Sequence, residues 1–235
     1  MGEYNITLVI LSYIVAVAGS FMALMMIGNA QKNINSSGSL VPLGALCLGG
    51  VGIWSMHFIG MIAFSMPNMN ISYDFWLTTL SLFIGIGVVY VGLSFIISSF
   101  SFARLILAGI FVGLGVAGMH YTGMFAMQMQ ADIVWNWTII SASVAIAIVA
   151  SIVALWLLVH VKHLWQMVVS ALVMGVAVCG MHYTGMMAAD FANNPNLSPI
   201  QPTNMNYFIM IIFGIDAIIL MVSLMVSMSH NRTLH

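Results

Sequence analysis

The chain has 235 residues, of which 62% are hydrophobic and only 4% charged, and its net charge is -1. Soluble domains carry roughly 25% charged residues, so this composition excludes a water-exposed globular protein and predicts an integral membrane protein. The small net charge also excludes a basic surface for nucleic acid.

Seven apolar stretches are long enough to cross the lipid bilayer, because a spanning helix needs about 20 apolar residues. In chain order they lie near residues 5–27, 42–66, 75–99, 103–128, 136–159, 165–189 and 206–229. The first stretch lacks the basic segment of a secretory signal and is predicted to be a retained helix. We therefore predict an all-α integral membrane fold, with residues 1–235 forming a single seven-helix domain and no cytoplasmic output domain in this chain.

The few charged side chains predict how the helices are oriented. The first, third and fifth connections and the C-terminal tail carry the basic residues Lys32, Arg104, Lys162 and Arg232. The N-terminus and the other connections carry the acidic residues Glu3, Asp74, Asp132 and Asp190. Because basic loops stay cytoplasmic, we expect the N-terminus outside and the C-terminus inside.

A short motif recurs in three of the predicted helices. "GMHYTGM" occupies residues 118–124 and 180–186, and "SMHFIGM" occupies residues 55–61, so that His57, His120 and His182 are 63 and 62 residues apart. The flanking segments align without a gap, which indicates an internal repeat. The sequence thus predicts three two-helix repeats, with the motifs in helices two, four and six related by a rough three-fold arrangement.

The spacing within the motif predicts a shared site. Each His is followed four residues later by Met, which lies on the same helix face one turn away, whereas the preceding Met points roughly 100° aside. The three His lie about eight to ten residues from the outer helix ends, roughly 12–15 Å deep at 1.5 Å per residue. The candidate metal ligands are His57, Met61, His120, Met124, His182 and Met186, with Met56, Met119, Met181 and Asp216 as further candidates.

Asp216 is included because a carboxylate inside a membrane costs on the order of 2.5–3.5 kcal/mol and marks functional positions. It lies near the depth of the three His, at a position matched within about one residue by Ser12, Ser81 and Ser143 in helices one, three and five. It is predicted to be a fourth ligand or an acceptor for a ligating imidazole N–H.

The donor set favours copper, since imidazole binds several transition metals whereas thioether sulfur selects Cu(I). Zinc on three His and an Asp remains the second choice. Haem is disfavoured because three His at one level form no natural axial pair. The structural alternative is that the His residues hydrogen-bond one another and the Met residues serve only as packing.

The repeated "MHYT", its variant "MHFI" and their places in helices two, four and six resemble the MHYT domain of bacterial integral-membrane sensors. This resemblance implies a metal, copper, held by the motif Met and His residues near the outer face of the bacterial cytoplasmic (inner) membrane. It further implies sensing of a diatomic gas (oxygen, carbon monoxide or nitric oxide) and signalling to cytoplasmic GGDEF, EAL or histidine kinase domains, for example through cyclic-di-GMP turnover. The first motif departs from the family pattern, because Phe58 and Ile59 replace Tyr and Thr.

Two other functions are compatible with a membrane site of this kind. A transporter of copper or another small solute needs polar groups on both sides of the site, whereas the inner halves of the motif helices offer Gly, Ala, Leu and Val. A redox enzyme needs a substrate-binding group set that the sequence lacks. We therefore expect a sensor domain that is not itself an enzyme.

Overall fold

Seven segments of the chain are long and apolar enough to cross a membrane, counted over the residues that this computed structural model describes: 2–32, 37–67, 69–197 and 204–232. Six of the segments consist of one α-helix each, namely α1 (Ile6–Lys32), α4 (Phe75–Ser98), α5 (Phe102–Phe125), α6 (Trp137–His160), α7 (Leu164–Met186) and α8 (Met205–Arg232). The predicted multi-pass fold is confirmed. Residues 33–36 and 198–203 of the predicted first and sixth connections, and the tail at 233–235, lie outside the described residues.

The second spanning segment is not the single regular helix that the sequence predicts near residues 42–66. It consists of α2 (Ser37–Ala45), a π-helical stretch (Leu46–Ser55) and α3 (Met56–Ile62). The π-helical stretch contains the run "LGGVG", and a Cβ at Gly49 would meet the backbone of Gly85 in α4. Hydropathy does not distinguish a π-helix from an α-helix, and π-helical turns are frequent at functional sites.

The first six spanning segments form a closed ring. Neighbours in the ring follow chain order from α1 through the second segment, α4, α5 and α6 to α7, which packs against α1. Helix α8 lies outside this ring, against α1 and the π-helical stretch. The repeat pattern would place α8 next to α7 in the ring, but α1 occupies that position instead.

Three short antiparallel ribbons, which an all-helical prediction omits, link the ends of the ring on the side of the N-terminus. They pair β1 (Glu3–Tyr4) with β2 (Phe64–Ser65), β3 (Ser72–Tyr73) with β4 (Met127–Gln128), and β5 (Ala131–Trp135) with β6 (Ala189–Asn193). In each pair, the strand before an odd-numbered span meets the strand after the following motif helix. The ribbons therefore fix the three motif helices at one depth.

The same three-fold pattern holds at the helix ends. Asn5, Asp74 and Asn136 precede α1, α4 and α6, and their side chains accept hydrogen bonds from the first helical N–H groups, as is typical of N-cap residues. The backbone N–H of each cap also donates, at 2.8 Å, to one carbonyl at the end of a motif helix: that of Ala63, Ala126 or Ala188. Each of these alanines lies six residues after its motif His.

Candidate metal centre

The three motif histidines meet on the axis of the ring. His57, His120 and His182 come from α3, α5 and α7, and each is 1% exposed. The Nδ1 atom of His57 lies 3.0 Å from Nδ1 of His182 and 3.1 Å from Nδ1 of His120. Within the described part of the chain, these three residues form the group whose ligand atoms all lie within 4.8 Å of one another and could hold a metal ion.

Hydrogen bonds alone cannot satisfy three nitrogens that face one another. A neutral imidazole has one donor and one acceptor nitrogen, so a proton shared between two Nδ1 atoms leaves the third without a partner. A metal ion, in contrast, accepts a lone pair from all three. Two nitrogens bound to one metal at about 2.0–2.1 Å in a tetrahedral site lie roughly 3.3 Å apart, close to the separations observed here. The residues therefore fit a metal ion.

A glycine of the next repeat supports the far side of each imidazole ring. A Cβ at Gly123 would meet Nε2 of His57, one at Gly185 would meet Nε2 of His120, and one at Gly60 would meet Nε2 of His182. None of the three Nε2 atoms has a hydrogen-bond partner among the described residues. The rings are thus held by close packing against bare backbone, and each repeat positions the His of another.

The motif methionines form two layers, one on each side of the His centre. Met61, Met124 and Met186 are buried on the side of the ribbons, in one apolar cluster that also contains Met127 and Met129. The preceding methionines line a cavity on the opposite side together with the three His, and these are Met56, Met119 and Met181. The structure thus brings both sets of methionines next to the centre, and their role as ligands stays a prediction.

Asp216 is not part of the three-histidine group. Its side chain is 4% exposed, and Oδ1 accepts a hydrogen bond of 2.7 Å from Ser55, two residues before His57. It lies twelve residues after Asn204, which precedes α8, whereas the serines that the sequence aligned with it lie seven residues after their caps. The predicted equivalence is therefore wrong, because α8 lies outside the ring and enters the bundle in a different register.

Those three serines bind the motif helices to their neighbours. Ser12 Oγ lies 3.0 Å from Tyr183 Oη, and Ser143 Oγ lies 2.6 Å from Tyr121 Oη. In the first repeat Phe58 has no hydroxyl, and Trp54 Nε1 donates to Ser81 at 3.0 Å instead. The motif tyrosines thus hydrogen-bond to a neighbouring helix in this structure, and the departure "MHFI" is compensated four residues earlier by Trp54.

Sequence reasoning missed the pairing between each histidine and the glycine of another repeat. From sequence alone, Gly60, Gly123 and Gly185 are small residues of the kind that let transmembrane helices approach closely. The signal that distinguishes them from the other motif glycines is their constant place three residues after His. A glycine at that offset lies on the same helix face as the His and therefore faces the ring axis.

The fold and the site define a multi-pass membrane protein with three buried histidines on the axis of a three-fold repeat. The family model described as "Bacterial signalling protein N terminal repeat" matches residues 50–109, 113–171 and 175–233. The chain belongs to this family, the MHYT family. No solved structure is significantly similar to it.

Curated relatives include signalling proteins of two bacteria. The chain is 40% identical over 81% of its length to the bifunctional diguanylate cyclase/cyclic di-GMP phosphodiesterase MucR of Pseudomonas aeruginosa, and the match covers 29% of that protein. It is 33% identical over 79% of its length to the cyclic di-GMP phosphodiesterase NbdA of the same species, covering 24% of it. It is 32% identical over 92% of its length to the signaling protein YkoW of Bacillus subtilis, covering 28% of it. The chain thus spans less than a third of the length of these relatives.

Proposed function

We propose that this chain is the sensory input domain of a bacterial inner-membrane signalling protein, and that its three-histidine centre binds a metal ion in the outer half of the bilayer. The observation that carries the proposal is the convergence of three buried Nδ1 atoms. Hydrogen bonds among these three atoms cannot give each of them a partner. Copper is the first choice of metal, because thioether side chains lie on both sides of the imidazoles and thioether sulfur favours Cu(I). Zinc is the second.

The sensed ligand in this proposal is a diatomic gas: oxygen, carbon monoxide or nitric oxide. A metal ion on three imidazoles would supply an open coordination position for such a ligand. The protein's own contribution is to exclude water from the centre and to hold the three rings between the glycines. The curated relatives named for cyclic di-GMP turnover favour an output of that kind, through GGDEF or EAL domains in the complete protein.

The first repeat is the part of the centre connected to the C-terminal helix. Within the π-helical stretch, Ser55 donates to Asp216, and Cys47 Sγ lies 3.1 Å from Ser223 Oγ. A further contact, 2.9 Å long, joins Asn29 of α1 to Ser227. A displacement of His57 would move Ser55 and thereby α8, which leads to the cytoplasmic side in the predicted orientation. Such signalling requires that the ligand bind two helix arrangements with different affinity.

Metal transport is the alternative function, and the side chains that line the cavity next to the His centre argue against it. On the side facing the C-terminus, the His centre is followed by Leu, Ile, Val, Ala and Met side chains and by Ser151. An ion leaving the centre in that direction would first pass the thioethers of the preceding motif methionines. Beyond them it would meet mostly aliphatic side chains that replace no ligand, at a cost of several kcal/mol or more. A sensor needs no such exit.

Elemental analysis of the freshly purified chain for copper, zinc, iron and nickel tests the proposal. We expect about one copper per chain, because the three histidines converge on one centre. Zinc in its place would retain the centre and contradict gas ligation at copper. Protein purified without chelators that contains no metal would overturn the proposal, and copper that crosses the wall of a reconstituted vesicle would favour transport.

Replacing Asp216 distinguishes between two possible roles of this residue, as a metal ligand or as the hydrogen-bond partner of Ser55. We expect Asp216→Leu and Ser55→Ala to retain the wild-type metal content, because the carboxylate bonds Ser55 and lies outside the His group. Their double-mutant cycle should show a coupling of about 0.6–1.7 kcal/mol, the size of hydrogen bonds between membrane helices. Asp216→Asn, which keeps an acceptor oxygen, is the matched control. Metal loss in Asp216→Leu but not in Ser55→Ala would instead make Asp216 a ligand.

A further inference from the structure

A cavity of about 50 Å³ lies directly beneath the His centre, on the side facing the C-terminus. The three histidines and the three preceding methionines form one end of it, and aliphatic residues of α4, α5, α6, α7 and the π-helical stretch form the rest. Val112 and Val116 on α5 and Met174 on α7 precede their motif histidines by one to two turns. The cavity is thus in contact with the centre and separate from the methionine layer at the ribbons.

The size and lining of the cavity define what it can hold. One water molecule needs roughly 10–15 Å³ measured in this way, so the volume accommodates a molecule of two or a few heavy atoms and excludes a lipid or a quinone. Apart from the imidazoles and Ser151, the lining side chains are apolar. Apolar cavities stay dry and bind apolar molecules such as xenon. The fitting ligand is therefore small, uncharged and apolar.

The cavity opens between α6 and α7. Of its lining residues, Ala150 and Ala154 on α6 and Ala177 and Val178 on α7 are partly exposed, and all the others are buried. Three of the four partly exposed residues are alanines, which leave a gap where larger side chains would close the contact between the helices. This opening lies in the middle of two membrane-spanning helices, so it faces lipid rather than water.

We propose that this cavity is a binding site for one small uncharged apolar molecule of the class of diatomic gases. The molecule enters from the lipid between α6 and α7 and reaches the His centre from the side facing the C-terminus. The identity of the ligand rests on the proposed function. The binding of an apolar molecule and the route between α6 and α7 do not depend on a metal. Entry from the bilayer suits such a ligand, because apolar molecules concentrate in the hydrocarbon core.

Xenon is the probe that tests the cavity without involving the metal. Crystals of the purified chain grown in lipid and pressurised with xenon should show an anomalous scattering peak beneath the three imidazoles. We expect the peak in wild type and in Ala145→Phe, and its loss in Ala154→Phe. Ala145 is an exposed residue of the same helix, and it lies nine residues away, which is two and a half turns of an α-helix and therefore the opposite face. The two variants therefore place the same ring on opposite faces of α6.

A second, smaller substitution guards against misfolding of the phenylalanine variant. Ala150→Leu should reduce the occupancy of xenon several-fold while keeping the wild-type thermal stability. Absence of xenon from the wild-type cavity, or an undiminished peak in both Ala154→Phe and Ala150→Leu, would overturn the proposal. Xenon binding by a protein that contains no metal would support the proposed cavity and contradict the proposed metal sensor. Metal binding by a protein that binds no xenon would support the metal sensor and contradict the cavity.

Discussion

Simultaneous replacement of His57, His120 and His182 by alanine is expected to abolish metal binding while leaving a folded seven-helix bundle. The three Nδ1 atoms face one another, and a proton shared by two of them leaves the third unpaired. The variant removes all three of these nitrogen donors. Each single His→Ala change should weaken metal binding by more than about tenfold, because loss of a residue that only supports a ligand already costs 10–100-fold. Metal per chain, measured by elemental analysis, and helicity, measured by circular dichroism, check both parts.

His163→Ala is the matched control for the histidine variants. His163 is exposed, lies at the start of α7 and makes no capping hydrogen bond through its side chain. This variant should retain the wild-type metal content. If the triple variant bound as much metal as wild type, the three histidines would be packing residues that hydrogen-bond in pairs, and the metal would have to be sought elsewhere in the chain.

Replacing a ring-facing glycine by alanine is expected to damage the centre without removing any ligand. In Gly123→Ala, the new methyl group would clash with Nε2 of His57. The imidazole would have to move within a close-packed core, which costs about 1–3 kcal/mol and displaces Nδ1 from its two partners. Metal content should fall at least about tenfold, and the same is expected for Gly60→Ala and Gly185→Ala.

The repeat supplies an internal control for this prediction. In "GMHYTGM" the first glycine, Gly118 or Gly180, has open space where a Cβ would lie. Gly118→Ala and Gly180→Ala should therefore keep the metal and gain up to about 1 kcal/mol of helix propensity. Thermal unfolding and elemental analysis of the paired variants distinguish the two glycines of each motif. Equal metal content in Gly118→Ala and Gly123→Ala would show that the ring contacts do not position the histidines.

The three-fold centre has consequences for how a signal leaves it. Every ring is supported by a different repeat, so a change at one histidine is felt by its neighbours through close packing. The exit, however, is not three-fold. The first motif helix is preceded by a π-helical stretch, whose residues Cys47 and Ser55 contact α8, whereas α5 and α7 are α-helical over their described ranges. We expect the first repeat to couple the centre to the C-terminus.

Several parts of the fold follow from the sequence because they depend on local patterns. Seven apolar stretches predicted seven spanning segments, since bilayer thickness sets the length of an apolar helix. The repeat spacing of His57, His120 and His182 predicted convergence at one depth, and the structure brings their Nδ1 atoms together. Asn136 and its two counterparts carry the ordinary signals of N-caps. These features require no knowledge of which helix packs against which.

The tertiary structure alone decided the features that depend on helix packing. Hydropathy is the same on all sides of a membrane helix, so it did not reveal that α8 lies outside the ring, that α1 takes its place, or that Asp216 therefore meets Ser55 and not the histidines. The contact of each imidazole with a glycine of another repeat is likewise a relation across helices. A repeat in the sequence establishes that three units are alike, whereas their mutual arrangement is set by which surfaces fit together.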